Sequence, residues 1–108
     1  MNFQNDSDAS LIRKLHSVGY ACFVRHLPLF EGDSDIAGAA ADLQEKEDFT
    51  SKACRSRVSH ARSILASGQR NTALTIIADS EKVPLAVREA ARTALKKAFK
   101  AGLRPLPS

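Results

Sequence analysis

Residues 50–70 carry five basic side chains and one histidine but no acidic residue. Arginine and lysine neutralise phosphate groups, and arginine can also form two hydrogen bonds with the edge of a guanine base. Solvated helices usually alternate glutamate with lysine four residues apart, so the lack of acids is the distinctive part of this pattern. The basic and imidazole side chains are Lys52, Arg55, Arg57, His60, Arg62 and Arg70.

A helical projection of residues 51–66 separates an apolar side from a polar side. The apolar stripe is predicted to be buried and comprises Cys54, Val58, Ala61 and Leu65. The opposite side carries Lys52, Arg55, Ser56, Ser59, Arg62 and Ser63, with Arg57, His60 and Ile64 on one flank. Serine hydroxyls donate to phosphate oxygens and allow close approach. The segment therefore predicts a helix that binds duplex DNA.

The predicted contacts fall into three groups. The groove face consists of Lys52, Arg55, Ser59 and Arg62, and the secondary contacts are Arg57, His60 and Arg70. A second basic stripe, in the last predicted helix, consists of Arg88, Arg92 and Lys96 at i, i+4 and i+8 and is predicted to anchor the DNA backbone. Basic residues near the C-terminus of a helix also favour its dipole, so this stripe has an equally simple explanation as a solvated surface.

The order of predicted elements around the basic helix resembles a helix-turn-helix. A shorter helix over residues 35–47 is followed by a tight break and then by the basic helix over residues 51–66. In that motif the second helix enters the major groove. The glycine often found in the turn is absent, and Asp48-Phe49-Thr50 stands in its place. The resemblance is to a generic motif rather than to a family.

Charge is divided between the two halves of the chain. Residues 1–48 have a net charge of −5 and residues 49–108 a net charge of +9. A concentrated positive half is typical of proteins that meet polyanions. Two other interpretations stay open: the basic face binds an acidic protein partner, which includes a second copy of this chain, or it is neutralised internally. In the internal case, Arg55, Arg57 or Arg62 would pair with the acids Asp42, Glu45, Glu47 and Asp48.

The positions of apolar residues, glycines and prolines predict an all-α fold, a small bundle of about five helices with a helix-turn-helix-like core. The predicted organisation is a disordered tail at 1–7, one helical domain at 8–102 and a proline-containing tail at 103–108. Ser7 or Asp8 is expected to cap the first helix, and Pro28 to end the segment that contains Tyr20–Val24. That segment suits a helix or a short strand, and the lack of a second strand favours the helix.

The sequence carries no pattern that indicates catalysis. It contains neither a phosphate-binding glycine loop nor a dinucleotide fingerprint, and Cys22, His26, Cys54 and His60 lack the spacing of zinc sites. We therefore predict no enzymatic activity, no metal and no cofactor, and we expect the two cysteines to be buried. A polar amino terminus and the lack of a long apolar run predict a cytoplasmic protein that does not enter the membrane. One copy of the helix-turn-helix motif makes few contacts, so we expect a homodimer that binds a two-fold DNA site and regulates transcription.

Overall fold

The computed structural model describes residues 3–100, and the side chains of residues 9–97. Within that range the chain forms seven α-helices and no strand, which confirms the all-α class. The helices are α1 (Phe3–Val18), α2 (Tyr20–Arg25), α3 (Leu27–Glu31), α4 (Ile36–Lys46), α5 (Ser51–Ala66), α6 (Arg70–Asp79) and α7 (Leu85–Lys100). The predicted tail at 103–108 lies outside the described residues.

The first helix begins earlier than predicted. It starts at Phe3, so residues 3–7 of the predicted disordered tail are helical, and Ser7 and Asp8 lie inside the helix rather than at its cap. Residues 3–10 contain neither glycine nor proline. Once Leu11, Leu15 and Val18 are packed, adding turns at the N-terminus requires no new nucleation and costs little.

The extra short helices arise where the sequence predicted one helix and a loop. Tyr20–Val24 is helical, as favoured, and α2 ends at His26, which has φ −112° and ψ 22°. Pro28 then stands in the first turn of α3 instead of ending the helical region. Proline is tolerated there because the first N–H groups of a helix have no intrahelical acceptor.

Local sequence signals set the ends of α4 and α5. Asp35 caps α4 by accepting a hydrogen bond from the Gly38 N–H at 2.8 Å. Thr50 caps α5 in the same way, with its hydroxyl 3.1 Å from the Ala53 N–H. These bonds satisfy N–H groups that the helix itself leaves without partners. The observed α5, Ser51–Ala66, coincides with the predicted helix.

Helix α5 ends next to a glycine in the left-handed conformation. Gly68 has φ +76°, and its N–H donates to the Leu65 carbonyl while the Gln69 N–H donates to the Ile64 carbonyl. This pair of bonds is the Schellman arrangement, which needs a left-handed residue and therefore favours glycine. The chain reverses there into α6.

Helix α5 is central to the bundle. It packs against α1 on one side and against α4 on the other, with α3 also in contact, while α7 packs mainly on α6 and α2. The buried stripe of α5 is Cys54, Val58, Ala61 and Ile64. Leu65, which was predicted to be in that stripe, is only half buried, because contacts with α1 rotate the buried side toward Ile64.

One continuous core joins the helices. Phe23 and Phe30 stack with ring centroids 6.2 Å apart, and large aliphatic residues from five helices surround them. Cys22 and Cys54 are buried in this core as free thiols, as predicted for small hydrophobes. The largest fully buried aliphatic side chains are Leu11, Leu15, Val18, Leu43, Val58, Ile64, Leu74 and Ile77.

The break between α1 and α2 gives a prediction about Gly19. This residue has φ +94°, and a Cβ placed on it would lie 3.1 Å from Nη1 of Arg57, whereas a Cβ on Gly68 would meet nothing within 4 Å. We expect Gly68→Ala to lower the free energy of unfolding by about 1 kcal/mol through backbone strain alone. Gly19→Ala should lower it by about 2–3 kcal/mol because it adds a displaced arginine to the strain. Urea denaturation of both variants checks this, and equal losses would contradict the close approach of Arg57.

Candidate nucleic-acid interface

The outward side of α5 presents exposed basic and hydroxyl groups between α1 and α4. Lys52, Arg55, Ser56 and Ser59 are all exposed. No side chain among residues 9–97 pairs with Lys52 or Arg55. Three of the four residues predicted for the groove face, Lys52, Arg55 and Ser59, therefore lie together on an accessible surface, which we call the α5 face.

Arg62, the fourth predicted groove residue, is directed at the main chain of its own protein. Its Nε donates to the Phe30 carbonyl at 3.0 Å, and its terminal nitrogens donate to the carbonyls of Leu29 and Ser34. These carbonyls belong to the last turn of α3 and the following loop, where the helix leaves acceptors unpaired. A guanidinium has five donors in a planar fork and can serve several such acceptors at once.

Arg57 is held in the same manner at the end of α1. Its Nη1 donates to the Val18 carbonyl, and its guanidinium carbon lies 3.9 Å from the centroid of the Phe49 ring. The stacked arrangement leaves Nε buried with no hydrogen-bond partner among the described residues. Phe49, in the break between α4 and α5, thus supplies an aromatic face that favours a cation.

The remaining predicted contacts are also engaged within the protein, except for Lys96. Arg70 pairs with Glu31 at 2.6 Å and donates to Asn71. In α7, Arg88 donates to the Val83 carbonyl at 3.0 Å and Arg92 to the Ala78 carbonyl at 3.1 Å. Lys96 is exposed. Because α7 packs on α6 and α2, helix packing does not bring this stripe beside the α5 face.

The acids of the first half do not pair with the bases of α5 within the described residues. Glu47 instead accepts from Arg25 at 2.8 Å and lies 2.7 Å from Nε2 of His26. Hydrogen bonds from His26 and Arg25 lower the pKa of Glu47 below its ordinary value. Arg57 and Arg62 are therefore bonded within the protein, but they donate to main-chain carbonyls and not to the predicted carboxylates.

Helix α1 adds a basic cleft that the sequence analysis missed. The cleft lies between α1 and α5, has a volume of about 230 Å³, and is lined by Ser10, Arg13, Lys14, Ser17 and His60. Lys14 spans the two helices through a hydrogen bond of 2.9 Å from Nζ to the Ser63 hydroxyl. The sequence did hold a signal, since two bases and two serines recur at i, i+3, i+4 and i+7 with no acid among them.

His60 has one defined tautomer. Its Nδ1 lies 2.8 Å from the Ser56 carbonyl oxygen, which can only accept, so Nδ1 carries the proton. Nε2 then carries a lone pair and can only accept a hydrogen bond. Of the predicted secondary contacts, His60 is the one that lines the cleft.

Other chemistry finds little support in the part of the chain that is described. Burial raises the pKa of both Cys22 and Cys54, which keeps them as neutral thiols. Within residues 9–97 no group of three or more histidine, cysteine or acidic side chains is placed to hold a metal ion. No helix of the described range is long and apolar enough to cross a membrane.

Comparison with protein-family models, curated proteins and solved structures found no match to this chain.

The contacts of Arg62 predict that neighbouring arginines on α5 differ in their effect on stability. Arg62→Gln should lower the free energy of unfolding by about 2 kcal/mol, because the shorter amide leaves the carbonyls of Phe30 and Ser34 without their donor. Arg55→Gln should change it by less than about 0.5 kcal/mol, as expected for an exposed residue without partners. Urea denaturation of the two variants gives the comparison, and a larger loss for Arg55→Gln would overturn the assignment.

The lowered pKa of Glu47 predicts a loss of stability in acid. The group is stabilising above its unfolded value of 4.5, and that contribution is lost as pH falls through the lower folded value. The free energy of unfolding of the wild type should therefore approach that of Glu47→Gln between about pH 5 and pH 3. Denaturant titrations across this range test the expectation, and a gap that stays constant with pH would contradict it.

Proposed function

We propose that the protein binds duplex DNA through the phosphate backbone, with the α5 face as its contact surface. The observation that carries the proposal is the exposure of Lys52 and Arg55 beside Ser56 and Ser59, with no carboxylate among residues 9–97 paired to either base. Such a surface can exchange its hydrated counterions for phosphates without breaking an internal contact. The serine hydroxyls beside the two bases can donate hydrogen bonds to phosphate oxygens.

The helices around the α5 face support a helix-turn-helix role. Helix α4 packs directly on α5, and only residues 47–50 separate them. We propose that α5 is the recognition helix and that Arg57 and Arg62 fix its position through their bonds to carbonyls at the ends of α1 and α3, while Lys52, Arg55 and Ser59 approach the groove. A single copy makes few contacts, so we propose a homodimer on a two-fold site, acting as a regulator of transcription.

Binding of a random-sequence duplex at low and higher salt tests this proposal. Fluorescence anisotropy should show binding at about 50 mM salt that weakens steeply by about 200 mM, because counterions are released from the DNA. Lys52→Gln with Arg55→Gln should weaken binding and reduce the salt slope by about two, one for each lost phosphate contact. The charge-matched control is Lys46→Gln with Lys82→Gln, which removes two exposed bases outside the α5 face.

Two results would contradict the proposal. Equal losses in the test and control variants would show that overall charge, rather than the α5 face, drives binding. No binding at the lower salt would exclude DNA and favour the alternative function, an interaction module whose basic face binds an acidic protein partner.

A further inference from the structure

We infer that the cleft between α1 and α5 is a phosphate-binding site that holds one phosphate group of the bound nucleic acid. This inference deepens the proposed function, on which the identity of the phosphate depends. The cleft lies on the side of α5 that meets α1. It adjoins the α5 face at Ser56, whose carbonyl oxygen accepts the hydrogen bond that orients His60.

The lining of the cleft has the chemistry of an anion site. Arg13 and Lys14 supply positive charge, Ser10 and Ser17 supply hydroxyl donors, and no carboxylate among residues 9–97 lines the cavity. The donors lie on one face of α1, and the ring of His60 on α5 closes the opposite side of the cleft. The volume of about 230 Å³ is large enough for one phosphate group.

Two of these side chains are already held in position. Lys14 uses one of its three N–H donors on the Ser63 hydroxyl, which leaves two for a ligand. The hydrogen bond from Nδ1 of His60 to the Ser56 carbonyl fixes its ring, which forms a wall of the cleft and not a donor to the anion. Fixing side chains before the ligand arrives reduces the ordering cost of binding, so the site is prepared for an anion rather than assembled by it.

The experiment uses the full chain and two probes, inorganic phosphate and the labelled duplex. With phosphate added at constant ionic strength, backbone amide signals of residues 10–17 and 56–63 should shift together in ¹H–¹⁵N spectra. The shifts should disappear in Arg13→Gln with Lys14→Gln, and persist in the control Lys46→Gln with Lys82→Gln. With the duplex, the same test variant should raise the Kd about tenfold and lower the salt slope by about one or two, since its bases meet phosphate.

The outcomes separate this inference from the proposed function. Duplex binding that is unchanged in Arg13→Gln with Lys14→Gln, or phosphate shifts that are absent or spread over the whole surface, would overturn the cleft as a phosphate site while the α5 face could still bind DNA. Localised phosphate shifts without any duplex binding would support the cleft as a phosphate site and overturn the proposed function instead. A variant that no longer gives dispersed spectra is replaced by Arg13→Gln alone, whose exposed side chain makes no described internal contact.

Discussion

The ends of short helices impose the main constraint on this fold. Each helix leaves its last carbonyl groups without intrahelical donors, and the seven helices of residues 3–100 have many such ends. Arginines from the second half of the chain serve several of them: Arg57 at the end of α1, Arg62 at the end of α3 and Arg92 at the end of α6. A positive charge at a helix C-terminus also interacts favourably with the helix dipole.

This constraint gives the positive half of the chain two separate roles. Part of its charge is consumed in joining helices, and only the remainder is available to a partner. On α5 the division depends on which helix end lies beside each arginine. Arg57 lies on the flank toward α1, and Arg62 lies two turns beyond Arg55 on the same face, where α3 ends. Lys52 and Arg55, nearer the start of α5, are exposed. Net charge therefore overstates how much of the positive charge is exposed, and the bonding of each base decides whether it is accessible to a ligand.

The helix bounds could be predicted because they depend on residues next to them in the sequence. The hydrogen-bond partners of the arginines could not be predicted, because they lie on other helices. The bounds of α5 follow from a capping Thr50 and a left-handed Gly68, both of which act within a few residues. The acceptor of Arg62 lies 32 residues away, and it exists only because α3 ends beside α5. A helical projection places Arg57 on a flank but cannot show whether that flank meets water or another helix. The α1–α5 cleft was missed for the same reason, because it forms only when two helices pair.

The account separates the arginines of α5 into two that are bonded to carbonyls and one, Arg55, that is exposed. Arginine-selective dicarbonyl labelling of the folded protein, read by mass spectrometry with and without duplex DNA, tests this most directly. The account predicts that Arg55 reacts readily and is protected by DNA, while Arg57 and Arg62 react slowly under both conditions because their guanidinium groups are held by carbonyls. Rapid labelling of Arg57 and Arg62, or an Arg55 that DNA does not protect, would contradict it.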